Sequence, residues 1–206
     1  MKEMTFVGAI NEALHEEMAR DERVYLFGED VRIGYGSGGA FGASNGLFAK
    51  FGPERVIDTP ISESAIAGLS VGAALWGMRP VAEIMFSDFL ALAMDHISNS
   101  AAKMRYAYAG EATVPVVFRT AFGAGVGAAL HHSQSPEAWI ANVPGLKIVM
   151  PSTPQDARAL MAAAANLFAR RGSDTGIALH FAFKWASVQR GMVVGFVIAI
   201  TTVVVT

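Results

Sequence analysis

IDTPISESAIAGLSVGAALWGMRPVAEIMFSDF, residues 57–89, decides the fold. It opens on a brief apolar strand, Val56-Ile57. A helix of small and apolar residues follows from about Glu63, and Pro80 to Met85 make a second strand. Strand, helix, strand, with both strands read as buried, is a unit of a parallel sheet covered on both faces. Glu63 is the single charged residue from position 63 to 78. A lone acid against so much apolar surface is costly unless a partner uses it.

The same alternation extends outward. Phe6, Ile10, Ala13, Leu14 and Met18 fall at helical spacing behind a capping Thr5. Residues 24–27 form a strand that delivers Gly28, Glu29 and Asp30 at its tip. Residues 34–46 are a glycine-rich loop, and Ala43 to Phe51 reads as a short helix stopped by Gly52-Pro53. Leu90 to Tyr106 is one long helix, with Asp95, Asn99 and Lys103 spaced i, i+4, i+8 on a polar side. Val114 to Arg119 and residues 146–150 are further strands. Thr153, Pro154 and Asp156 open a last helix in a capping-box-like arrangement. The expected fold is α/β, a doubly wound parallel sheet with helices on both faces. Ligands of such sheets bind at the carboxyl ends of the strands, where Glu29, Asp88, Phe89 and the 123–135 loop should lie. Beyond Asn166 the pattern degrades. One strand is expected at Ile177 to Phe183, and the apolar end MVVGFVIAITTVVVT is too short for a membrane helix. It reads as a strand or an exposed tail.

Composition narrows the function. Charged residues are 17%, against about a quarter in an average domain. Either the sheet is deeply buried or another subunit covers part of the surface. Net charge is −2 without a basic run, which gives nucleic acid nothing to bind. The chain has no cysteine, so thiolate metal sites and cysteine nucleophiles are excluded. No secretion signal opens it, and a cytoplasmic protein without membrane attachment is expected.

Four constellations carry chemistry. Glu63, Phe89 and His132 would place an acid, an apolar ring and a loop imidazole around a heteroaromatic ligand. The bland alternative makes Glu63 a first-turn acid favoured by the helix dipole, Phe89 core and His132 surface. Gly123 to Ala128, GAGVGA, is a loose dinucleotide fingerprint, but no acid follows about 20 positions on to hold a ribose. A loop that closes over a site fits better. His131-His132-Ser133 lacks metal-ligand spacing and has no G-x-S-x-G elbow. Glu29, Asp30, Glu83 and Asp88 lie near the expected strand ends, where a proton path and ordinary helix caps are both open readings.

GEDV, IDTPISE, RPVAEIMFSDF, MDHISNSAAKMRY, VPVVFRT, HSQSPEAW and PGLKIVMPSTPQDA stand in that order from about Thr5 to Ala163. Together they closely resemble one family, the beta subunit of the thiamine-diphosphate-dependent first component of 2-oxo acid dehydrogenase complexes. The pyruvate, branched-chain 2-oxo acid and acetoin enzymes share it. The resemblance implies that residues 1–165 are the pyrimidine-binding module. Glu63 then bonds the aminopyrimidine nitrogen of thiamine diphosphate and favours the imino tautomer, which removes the thiazolium proton. Phe89 stacks on the ring, His132 is the active-site histidine, and Glu29 joins the cofactor-binding residues. The implied product is an acyl group passed to lipoamide. The family holds magnesium and the diphosphate through a G-D-G…N motif on an alpha subunit, and this sequence has no GDG. An alpha partner, a second beta subunit and a lipoyl acyltransferase core are therefore implied, with a structural K+ site after the VPVVFR strand. Residues 166–206 do not resemble the family's continuation. They are expected to add one strand of the module at most, the rest being truncated or non-native sequence, with the family's second domain outside the chain. The rival readings are a remnant that cannot assemble and a dinucleotide-dependent oxidoreductase.

Overall fold

The computed structural model describes residues 4–32, 39–124, 127–166 and 199–205. Helix α1, Phe6–Arg20, begins where the Thr5 side chain accepts the Gly8 N–H at 3.1 Å. Its stripe of Ala9, Ile10, Ala13, Leu14 and Met18 is buried. Strand β1, Val24–Gly28, follows and is buried throughout. Helix α2 is only Leu47–Phe51, shorter than its expected start at Ala43. Gly46 sits in the left-handed region at φ 74° and turns the chain just before the helix.

Next come β2, Val56–Asp58, then α3, Glu63–Leu75, then β3, Arg79–Phe86. The long helix after β3 is continuous but not uniform. It runs through α4, Leu90–Met94, a π-helical segment Asp95–Ala101, and α5, Ala102–Ala107. Asn99 donates to Asp95 and Lys103 to Asn99, each at 2.8 Å, along the expected polar side. Strand β4 is Val117–Phe122, three residues later than its expected start. Pro115 has no N–H for a ladder. Helix α6, Glu137–Ala141, leads to β5, Leu146–Val149, and α7, Pro154–Asn166. The Thr153 hydroxyl accepts the Asp156 N–H at 3.1 Å, and Ser152 bonds the Asp156 carboxylate at 2.9 Å.

The strands form one sheet in the order β2-β1-β3-β4-β6-β5, where β6 is Ala199–Val205. β2, β1, β3 and β4 run parallel. β6 is the exception, antiparallel to both β4 and β5. The apolar end of the chain therefore forms a strand inside the sheet. The strand expected at Ile177 to Phe183 lies outside the described residues. Side chains alternate across the sheet as the period of two requires. Val24 and Leu26 join α1 and α7 in one core, whereas Tyr25 and Phe27 join α3 and α4 in the other. Fully burying one such side chain contributes about 1.5–3 kcal/mol, so both cores hold the sheet from opposite sides.

One polar row crosses this apolar sheet. Gly28, Glu83 and Arg119 are register partners on β1, β3 and β4. Glu83 and Arg119 form an ion pair with almost no exposure. Glu83 therefore belongs to the middle of β3 and not to a strand end. Burial pushes its carboxyl up, and the Arg119 guanidinium beside it pulls it back down. A Cβ on Gly28 would lie 2.5 Å from the Glu83 carbonyl oxygen, so only glycine lets β1 approach β3 here.

Candidate active site

The strand order reverses between β1 and β3, with β2 on one side and β4 on the other. In such sheets the crevice at the switch point is where ligands bind. Glu29 follows β1, Glu63 follows β2, Phe89 follows β3, and the loop bearing His132 follows β4. All four candidates thus stand at the carboxyl end of the sheet.

Two of them meet as acids. Glu29 is 6% exposed and Glu63 5%. Asp30 after Glu29 adopts a left-handed φ of 46°, a conformation that aspartate tolerates better than most residues. Thr59 donates its N–H to the Gly28 carbonyl at 2.9 Å, and Arg32 N–H donates to Asp58 at 2.7 Å, so the exits of β1 and β2 are tied together. Burial pushes the Glu29 carboxyl up, the neighbouring Glu63 charge adds to that, and the Ser62 N–H opposes it. One Glu29 oxygen, Oε1, is buried with no hydrogen-bond partner. Glu63 is the first residue of α3. Ser62 does not cap that helix through its hydroxyl, which donates instead to the Pro60 carbonyl at 3.0 Å. The Ser62 backbone N–H faces Glu29.

The other two meet as rings. The His132 imidazole lies 4.6 Å from the Phe86 ring and 5.4 Å from the Phe89 ring, edge-to-face with both. Phe41 adds a further edge-to-face contact on Phe86 at 5.4 Å. Such contacts are worth about 0.5–1.5 kcal/mol each beyond area burial. His131, the neighbour of His132, is exposed. The structure thus joins Glu29 with Glu63, and Phe89 with His132. The two groups share one end of the sheet.

Beside Glu63 an open cleft of about 590 Å³ runs between α3 and α4, lined by Ser62, Glu63, Gly68, Leu69, Leu92 and His96. No hydrogen bond from a described residue reaches the Glu63 carboxylate. The His96 ring packs on Gly68, where a Cβ would come within 3.0 Å of it. The rims are apolar and exposed, with Leu69 at 62% and Leu92 at 60%. A heteroaromatic ring with a hydrogen-bonding nitrogen fits this lining, which offers the Glu63 carboxylate between apolar walls. His96, Phe41 and Gln134 were not foreseen from sequence. Only Gln134 carried a signal, its place in the H-S-Q run.

Of the GAGVGA run, residues 125 and 126 lie outside the described residues. Among the described residues the next α-helix after β4 is the five-residue α6, which starts at Glu137, so no α-helix N-terminus among them directly follows β4 where a pyrophosphate would need one.

Comparison with known proteins agrees with this geometry. A family model described as "Transketolase, pyrimidine binding domain" matches residues 2–173. The chain is 54% identical over 164 residues to "2-oxoisovalerate dehydrogenase subunit beta" of Bacillus subtilis (strain 168), covering 80% of this chain and 49% of that one. It is 51% identical to "Pyruvate dehydrogenase E1 component subunit beta-2, mitochondrial" of Oryza sativa subsp. japonica, covering 79% and 43%. It is 49% identical to "Acetoin:2,6-dichlorophenolindophenol oxidoreductase subunit beta" of Cupriavidus necator, covering 74% and 47%. A solved structure described as "Split gene transketolase, inactive beta4 tetramer" superposes with a TM-score of 0.58 at 23% identity, over 80% of this chain and 49% of that one. This chain spans about half the length of the curated relatives it matches.

Proposed function

This chain belongs to the transketolase pyrimidine-binding domain family, and from that premise we propose that it is the pyrimidine-binding part of the beta subunit of a thiamine-diphosphate-dependent dehydrogenase. Its substrate is a 2-oxo acid or acetoin, and the acyl product passes to lipoamide. The observation that carries this reading is the Glu63 carboxylate, buried at the head of a helix with no other charge and bordering a cleft.

Thiamine diphosphate, when bound, would supply nucleophilic carbon chemistry toward a carbonyl substrate. The chain's own residues prepare for it. Glu63 holds a proton at the pyrimidine ring nitrogen. Burial and then the Glu63 charge push the Glu29 carboxyl up, so negative charge is disfavoured beside Glu63. Phe89 gives the ring an apolar face, and the His132 imidazole offers a donor or acceptor from the closing loop. Apolar walls exclude water and strengthen each of these contacts.

The diphosphate and its Mg2+ belong to an alpha subunit, because no G-D-G motif is present in this sequence. The exposed apolar rim of Leu69 and Leu92, with Trp76 exposed at the far end of α3, supports a covering partner. A second beta subunit, an acyltransferase core, a K+ site beyond β4 and a cytoplasmic setting complete the proposal. No helix among the described residues is long and apolar enough to cross a membrane.

Glu63→Gln tests the proposal in a complex reconstituted with a GDG-bearing alpha subunit. Loss of turnover by at least about 100-fold with an unchanged circular dichroism spectrum is expected, in line with removal of a general acid–base group. Near-normal turnover at saturating cofactor refutes it.

A further inference from the structure

His132 is carried by a loop that has little else to hold it. Leu130 and His131 are exposed, Gly127 and Ala129 both take left-handed φ, and among the described residues no α-helix begins between β4 and Glu137. Yet the imidazole sits edge-to-face against both Phe86 and Phe89. Two aromatic contacts are too weak to offset the conformational entropy lost when a loop of this length is ordered.

The anchor stands two residues on. The Gln134 carbonyl accepts the Ser87 hydroxyl at 3.0 Å and the Gly123 N–H at 3.1 Å. Its side-chain amide donates to Asp88 Oδ1 at 2.8 Å. Gln134 is thereby bonded to the ends of β3 and β4 at once. Two residues of chain span no more than about 7 Å, so fixing Gln134 confines His132. Asp88 lies in the short turn Ser87–Phe89 between β3 and α4, where no side-chain cap bond is made. Its Oδ1 is spent on Gln134, and its Oδ2 is buried without a partner among the described residues. Ser133 Oγ, between His132 and Gln134, is likewise buried without a partner among them.

We propose that Asp88 and Gln134 are positioning residues that hold His132 against the Phe86–Phe89 ring pair. The catalytic meaning of this clamp rests on the proposed role of His132, but the clamp itself does not. Removing the Asp88 carboxylate frees the Gln134 amide and lets the loop carry His132 off the rings. Asparagine at 88 retains a carbonyl oxygen for the amide and keeps the clamp closed.

The test uses the full chain and the imidazole proton resonances of His132, with the adjacent exposed His131 as an internal reference. The phenyl rings displace the His132 signals from those of His131. In Asp88→Ala and Gln134→Ala the His132 signals move onto the His131 positions, and in Asp88→Asn they stay displaced. Unchanged His132 signals in both alanine variants overturn the clamp, as does Asp88→Asn behaving like Asp88→Ala. A second measurement separates the clamp from the function. In the reconstituted complex Asp88→Ala lowers kcat on the order of 10- to 100-fold, while Asp88→Asn restores it. If His132→Ala leaves turnover normal, the catalytic role of His132 falls while the resonance result stands.

Discussion

The two faces of the sheet are finished differently. On one, α1 and α7 cross-link through charge, with Arg158 bonding Glu16 at 2.5 Å and Glu12 at 3.6 Å. Both helices are capped by threonine side chains. On the other, α3 and α4 hold a single acid between them, and Leu69, Leu75 and Leu92 stand in the open. Both faces cover an equally buried sheet, so core packing does not account for the contrast. The first face is an outer surface, polar where it meets water. The second has the composition of an interior, and no described residue forms a layer over it. The acid of the proposed chemistry sits on that unfinished side.

The comparison can be broken first at the polar row beneath the outer face. Arg119→Met leaves Glu83 buried without a counter-charge, and unfolding free energy in urea should fall by about 3–5 kcal/mol. Adding Glu83→Leu to that variant should recover most of the loss, because an apolar pair of similar volume suits the same space. The same change made on each face gives the sharpest contrast. Leu14→Ala, on α1, should cost about 2–5 kcal/mol, whereas Leu69→Ala should stay within about 0.5 kcal/mol. If Leu69→Ala costs as much as Leu14→Ala in the isolated chain, α3 is covered after all.

Acid titration probes the junction of α1 and β1. The Arg23 side chain is the main cause that holds the Asp21 carboxyl well below its ordinary range, at about 2, with Arg79 adding to it. A depressed carboxyl stabilises the fold above its ordinary range, and that stability is lost as pH falls toward about 2. Asp21→Asn should flatten the stability curve in that window and leave its shape near neutral pH unchanged. At the second cap, Thr153→Ala should cost about 1 kcal/mol in thermal or denaturant unfolding.

Much of this was legible because local rules sufficed. The stripe of α1, the caps Thr5 and Thr153 and the alternation of strands with helices follow from periodicity and capping chemistry. The acid at the head of α3 and the ring after β3 stood out for the same reason, as exceptions to an apolar pattern. What escaped depends on register between distant strands. Glu83 looked like one more acid near a strand end. Only the pairing of β3 with β4 reveals Arg119 as its partner. β4 starts late because Pro115 breaks its ladder, and α2 starts late because of the left-handed turn at Gly46. Gln134 lies 46 residues from the carboxylate it binds, a distance that no periodicity spans. The antiparallel insertion of β6 is likewise a matter of the whole sheet and not of its own residues.

The π-helical segment at Asp95–Ala101 bears on how this chain tolerates a change in length. A π turn carries one residue more than the α turn it replaces. Removing one residue inside an ordinary helix rotates everything beyond it by about 100° and pulls its apolar side out of the core. Within Asp95–Ala101 a one-residue deletion relaxes the wide turn to an α turn and leaves Leu90 and Ala102 facing as before. The longest helical run among the described residues therefore contains a slack point, and a family of deletions scanned along it should find its tolerant positions there.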